Sequence, residues 1–208
     1  MTQHQATLQA LLGPAPAVLE GIHHPGVNLA VWTRSLSPCL QLAATQRIHG
    51  GATPLCLYVE PGEAAGRLPD LLPSAALAAD IAYLAEQFLR ISGSPRAHVE
   101  LEVLHHDACR YFHVDHVGLR LLCSYVGPGT EWLSEDNVNR TALGTGNNAA
   151  VIRDPRRVHR LETGWAGLFR GEAAAPDRAI VHRSPPIRQN GERRLLLRID
   201  VPGPHIPE

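Results

Sequence analysis

Apolar positions along this chain follow a helical rhythm early and a strand rhythm later. Leu77, Ile81, Leu84, Phe88 and Ile91 fall at steps of four and three, lining one side of a helix expected over residues 74–92. Ser74 can cap its start and Gly93 can end it. A second helix is expected over 36–48, and a short helical pattern near 5–12 stops at Gly13-Pro14. Residues 27–32 and 55–59 are apolar and β-prone, while 60–73, rich in Gly and Pro, reads as a loop. From residue 96 the period shortens to two. Strands are expected over 97–104, 119–126, 150–152, 161–169, 179–181 and 195–201, separated by turn signals such as Asp154-Pro155 and Asn190-Gly191. Helices first and short strands later predict an α+β chain, a β-sandwich or barrel supported by N-terminal helices. No break in pattern divides it. The expectation is one domain over 1–208, with 1–95 mainly helical support and 96–208 mainly a β metal-binding core.

Composition narrows the function classes. Hydrophobic residues make up 44% and charged residues 19%, as in a globular protein. Lys+Arg 19 against Asp+Glu 20 gives a net charge of -1, so neither nucleic acid nor an anionic membrane is expected as a partner. The N-terminus lacks the basic start of a signal peptide, and no apolar run approaches the roughly 18 residues of a membrane span. Cys39, Cys56, Cys109 and Cys123 form no C-x-x-C pair and read as reduced thiols of a cytoplasmic protein. Without a G-x-S-x-G elbow, a P-loop or a G-x-G-x-x-G, hydrolase and nucleotide-binding readings rank low.

The chemistry concentrates in Phe112-His113-Val114-Asp115-His116. Residues two apart on a strand share a face, so His113 and Asp115 can grip one ion. A second imidazole stands far downstream, at His182. Two His and one carboxylate, with the remaining positions open, is the ligand set of non-haem Fe(II) oxygenases. His116 would face the other way, as a partner to the ligands or as a surface group. His105, His106, Asp107 and Cys109, together with His113, offer an alternative site whose thiolate would favour Zn over Fe(II). Thr130, Glu131 and Trp132 are placed to line a site mouth, and Ser184-Pro185-Pro186 gives an extended exit that would hold His182 in place.

These segments carry a family resemblance. His113-Val-Asp115, Gly164-Trp-Ala-Gly-Leu-Phe-Arg-Gly171, Ile-Val-His182 and Gly191-Glu-Arg-Arg-Leu-Leu-Leu together resemble the Fe(II)/2-oxoglutarate-dependent oxygenases. That resemblance implies a double-stranded β-helix (jelly-roll, cupin-like) core, with His113, Asp115 and His182 as catalytic metal ligands. It also implies 2-oxoglutarate as co-substrate, held by an Arg about ten residues after the distal His whose planar fork suits a carboxylate. Arg193 and Arg194 stand at that interval, with Arg198 further along the strand, and Tyr125 is a further candidate to hydrogen-bond the co-substrate. The string from Cys109 to Leu133, with His182-Arg-Ser-Pro-Pro186, is similar to a bacterial family known only as domain of unknown function 1826. Members tend to be encoded near zinc-handling GTPases. The resemblance therefore implies an oxygenase acting on an unknown small molecule or protein, with two alternatives: a non-catalytic metal-binding protein of zinc homeostasis, or a β-sandwich interaction module with a vestigial site.

Overall fold

The computed structural model describes residues 9–51 and 53–202. Seven strands make one sheet: β1 (Ala10–Gly13), β2 (Leu29–Trp32), β3 (Leu55–Val59), β4 (Ala97–Leu104), β5 (Leu119–Val126), β8 (Ala166–Arg170) and β10 (Arg194–Asp200), in the order β1-β2-β8-β5-β10-β4-β3. Three short strands make a second sheet in the order β7-β6-β9: β6 (Glu131–Leu133), β7 (His159–Arg160) and β9 (Val181–Arg183). Pairing is antiparallel throughout except β1 with β2, which are joined by a 3-10 helix over Pro16–His23.

Strand alternation decides which side chains face which layer. Val99 and Leu101 of β4, Leu121, Cys123 and Tyr125 of β5, and Leu195, Leu197 and Ile199 of β10 point to one face of the large sheet. There they meet α1 (Pro38–His49) and α3 (Ala75–Ser92) in the main core. On the opposite face Leu29, Val31, Leu122 and Phe169 pack against Trp132 of the small sheet. The small sheet's far side, with Leu133 and Val181, is closed by Phe112, Val138 and Val151. The two sheets thus lie face to face, with α1 and α3 backing the larger one. The cover is uneven: on the inner face of β10, β4 and β3 the side chains are Arg198, Asp200, His98, Glu100, Tyr58 and Cys56.

Local chemistry explains most elements. Ser74 accepts the Leu77 amide at 3.4 Å and Gly93 ends α3 in the left-handed region at φ 64°, as its sequence predicts. Four expectations are corrected. Residues 5–8 of the helix expected near 5–12 lie outside the described residues, and the remainder forms β1, paired edge to edge with β2. The loop expected over 60–73 contains α2 (Ala64–Leu71) despite Gly66 and Pro69, because Ala64 and Leu68 bury against α3 and packing overrides propensity. Residues 150–152 fall in α4 (Asn148–Val151) and its exit, since Asn147 accepts the amides of Ala149 and Ala150. The strand expected from residue 161 begins only at Ala166, because a turn returns the Trp165 amide to the Glu162 carbonyl. All four cysteines are free thiols, and among the described residues no helix is long and apolar enough to cross a membrane.

A buried polar anchor ties α3 to the sheet. Arg34 reaches Asp80 with two nitrogens, at 2.6 and 2.8 Å, and the Tyr125 hydroxyl donates to the same carboxylate at 2.5 Å. Removing the carboxylate would strand a guanidinium whose side chain is only 8% exposed. Asp80→Ala should therefore lower unfolding free energy by about 3–5 kcal/mol in a urea titration. A loss below about 1 kcal/mol would show that the pair behaves as a surface ion pair.

Candidate metal centre

His113 and His182 come from distant parts of the chain and are joined through their backbones. Each amide donates to the other's carbonyl at 3.0 Å, a two-residue antiparallel bridge. His113 is therefore not in a strand that also carries Asp115, as its sequence suggests, but in a single bridge on the free edge of β9. The next segment bends away and presents Asp115 from an irregular loop. Gly171 and Glu172 hold that loop: the Glu172 amide donates to the Asp115 carbonyl at 2.7 Å, and the Gly171 amide donates to Gly118 at 2.9 Å. A Cβ on Gly171 would come within 2.1 Å of the Val117 carbonyl oxygen, so only glycine allows this approach.

The result is a tight triad. His182 Nε2 is 3.2 Å from Asp115 Oδ2, His113 Nε2 is 3.6 Å from Asp115 Oδ1, and the imidazole centroids are 4.6 Å apart. Asp115 and His182 are buried, while a third of the His113 side chain stays exposed. A cleft of about 390 Å³ lined by Asp107, Cys109, Arg110 and Tyr111 opens on that exposed flank. Phe169 walls the buried side, its ring 5.1 Å from His182.

The tautomers follow from the second nitrogens. His113 Nδ1 faces the Tyr111 carbonyl at 2.9 Å, and His182 Nδ1 faces the Ile180 carbonyl at 3.2 Å. A carbonyl only accepts, so both Nδ1 atoms carry hydrogen, and each Nε2 is left to meet the carboxylate or a cation. Asp115 Oδ2 is buried and, despite its closeness to His182, has no hydrogen-bond partner. With Nε2 unprotonated, three electron-pair donors meet here. A cation fits this arrangement. Ligand bonds of about 2.1 Å at right angles put neighbouring donor atoms about 3.0 Å apart, close to the spacing of the triad.

The carboxylate is oriented from behind. Arg120 donates to Asp115 Oδ1 at 2.5 Å and grips Asp200 with two nitrogens at 2.6 and 2.9 Å. Burial alone would raise the Asp115 carboxyl. The contacts with His113 and His182 and the charge of Arg120 overcome it and hold the group well below the usual carboxylate range. The sequence reading missed Arg120 and Asp200. The available signal was charge at inward positions of apolar strands.

Arg194 is the other unusual group. It is 1% exposed, and its nitrogens donate to Ser124 Oγ at 2.8 Å, Thr130 Oγ1 at 2.6 Å and Ser184 Oγ at 3.3 Å. All three partners are neutral hydroxyls, and burial pulls its pKa down to about 10. A buried guanidinium lacking a carboxylate is costly, so an anionic ligand would complete this site. Gly127, at φ 78°, lets the chain pass against the carbonyl of Arg193, where a Cβ would stand 2.3 Å away.

Residues 13–200 match the profile of a family described as protein of unknown function, DUF1826. The chain belongs to the DUF1826 family. No curated protein matches its sequence. Among solved structures, a prolyl-4-hydroxylase from Pseudomonas putida is similar with a TM-score of 0.50 at 14% identity, over 89% of this chain and 92% of that one. The Arabidopsis thaliana dioxygenase for auxin oxidation 1, in complex with 2-oxoglutarate, gives 0.49 at 10% identity, over 94% and 92%. The first likeness speaks for the fold: this DUF1826 chain has the two facing sheets of a double-stranded β-helix.

The structure separates the other candidates. Tyr125 lies on the helix side of β5, spent on Asp80. Arg193 shares that parity and donates to the Ile48 carbonyl at 3.3 Å. Arg198 faces inward but is taken by Glu100 and Asp200. Each of these three candidates for contact with a co-substrate is thus engaged within the chain. His116 is a surface group paired with Glu172 at 2.6 Å. Asp107 accepts the amides of Ile187 and Arg188 at 2.8 and 2.9 Å, and the described residues gather no metal-ligating group from His105, His106 and Cys109. Glu131 points away from the triad, held by Arg160 and Arg183 at 2.5 and 2.7 Å, whereas Trp132 pairs with His182 across β6 and β9.

Proton and cation compete for this site. Burial tends to lower the His113 pKa, but Asp115 and the Tyr111 carbonyl outweigh it and raise the ring above 6.5. In the metal-free protein that charge contributes stability below the unfolded pKa, and the contribution is lost as pH rises through the raised folded value. Metal needs the neutral ring, so its contribution runs the opposite way. Melting curves with and without Mn(II) should show little stabilisation below about pH 6 and full stabilisation by about pH 8. His182→Ala should abolish it at every pH. A pH-independent Mn(II) effect would contradict this site.

Proposed function

We propose that this protein is an Fe(II)/2-oxoglutarate-dependent oxygenase. The observation that carries the reading is that the chain holds both halves of the required recognition, joined through the exit from β9. Convergent Nε2 and carboxylate donors at His113, Asp115 and His182 suit a divalent ion. A buried guanidinium, free of any carboxylate among the described residues, stands at Arg194. Ser184 links them, lying just beyond His182 on the exit from β9 and bonding Arg194. The fold shared with the bacterial prolyl-4-hydroxylase supports the same reading by analogy.

In this reading His113 and His182 bind the ion through Nε2, their rings fixed by the Tyr111 and Ile180 carbonyls. Asp115 offers Oδ2 while Arg120 occupies Oδ1. The bound Fe(II) and 2-oxoglutarate would supply the oxidation, the co-substrate losing carbon dioxide as dioxygen is consumed and the substrate hydroxylated. Arg194 receives the far carboxylate of the co-substrate, its planar fork oriented by Ser124, Thr130 and Ser184. Phe169 and Trp132 exclude water from the buried side. Substrate enters over the exposed edge of His113, through the cleft of Arg110 and Tyr111. A closed zinc-storage site would require a fourth protein ligand, and the described group has three.

Anaerobic titration of the Fe(II)-loaded protein with 2-oxoglutarate tests the proposal. Saturable binding is expected with the wild type. Arg194→Gln should weaken it by about 10- to 100-fold, the worth of one or two hydrogen bonds to a charged group. Unchanged binding in Arg194→Gln, or no binding by the wild type, would overturn the assignment.

A further inference from the structure

A second set of metal-ligating side chains stands at the β3 end of the large sheet. Cys56 on β3 and His98 and Glu100 on β4 bring a thiol, an imidazole and a carboxylate within 4.8 Å of one another. The strand register places Cys56 opposite Glu100 and Tyr58 opposite His98, so all of them share the inner face. Cys56 Sγ is 3.1 Å from His98 Nε2, and that nitrogen is 3.5 Å from Glu100 Oε1. We propose that Cys56, His98 and Glu100 form a second cation site, selective for a thiophilic divalent ion of the zinc class.

The spacing suits such an ion. Bonds of about 2.3 Å to sulfur and about 2.1 Å to nitrogen or oxygen, at tetrahedral angles, separate the donors by about 3.4–3.6 Å. The supporting groups fix two of the three ligands. Tyr58 stacks on the His98 ring, with centroids 4.7 Å apart and planes 30° from parallel. Arg198 binds Glu100 Oε2 and leaves Oε1 for the site. His98 is 9% exposed and Cys56 is exposed, so the imidazole is set into the surface and the sulfur faces solvent. β3 is an edge strand, and three of the described residues gather here, which leaves a fourth coordination position for water or a further ligand. The donor set also separates the two sites. Thiolate with imidazole selects zinc-like ions, whereas two imidazoles and a carboxylate suit iron or manganese. A continuous row of ion pairs, Glu100–Arg198–Asp200–Arg120–Asp115, joins them across the sheet.

Cobalt(II) titration of the metal-free, reduced full chain reads this site directly, because only a thiolate ligand gives a sulfur-to-cobalt charge-transfer band in the near ultraviolet. The wild type should reach the full band within two equivalents, the His113/Asp115/His182 centre taking the other ion, and lose it when zinc is added. Cys56→Ser should abolish it with an unchanged melting curve, since Cys56 is exposed. His98→Gln keeps the thiol and should weaken cobalt by at least the roughly 10- to 100-fold that changes outside the ligand shell already cost. Asp115→Ala should leave the band intact, which separates this result from the fate of the His113/His182 centre. No charge-transfer band in the wild type, or a band that survives in Cys56→Ser, would overturn the proposal.

Discussion

The pair of 3.0 Å hydrogen bonds between the backbones of His113 and His182 is the constraint on which the rest turns. It fastens the segment before β5 to the free edge of β9, so two imidazoles from remote parts of the chain are set side by side. On its other edge β9 pairs with β6, opposing His182 to Trp132. Each imidazole therefore sits on hydrogen-bonded backbone rather than on a loop tip, and such support would hold a coordination geometry within narrow limits. Asp115 is the exception, and it has its own clamp in the Gly171–Glu172 backbone and the Arg120 guanidinium.

Charge is arranged around that constraint in alternating order. Asp200 neutralises Arg120, and Arg120 in turn orients Asp115 and keeps it ionised. The buried excess at the triad is negative, and the buried excess at Arg194 is positive. Arg120 offsets the first only in part, and the second has no carboxylate partner among the described side chains. Burial without compensation is costly, and such groups mark places where ligands, rather than folding, supply the missing charge. On the other face, the Arg34–Asp80–Tyr125 anchor has its charges matched internally and carries no such implication.

Much of this was legible in the residues. The helical stripe of α3, the alternation of β4, and the His-x-Asp with a distal His were visible as residue types at physically meaningful spacings. Which of Arg193, Arg194 and Arg198 lies buried on the inner face without a carboxylate was not. It depends on which face of β10 meets the helices, and then on the register that hands Arg198 to Glu100. The side on which Tyr125 lies was hidden for the same reason: β5 is apolar on both faces, with Leu121 in one core and Leu122 in another, so its sequence shows no inward side. The strands β6 and β7, three and two residues long, are too short to display a period. The Cys56–His98–Glu100 group needs the pairing of β3 with β4 before it exists at all.

The central claim is that three side chains surround one ion. Anomalous diffraction from crystals grown anaerobically with Mn(II) measures this most directly. The account predicts a manganese peak bonded to Nε2 of His113, Nε2 of His182 and Oδ2 of Asp115, with the remaining coordination positions facing the cleft beside His113. Crystals of metal-saturated protein that show manganese elsewhere, or no peak between these three atoms, would contradict it.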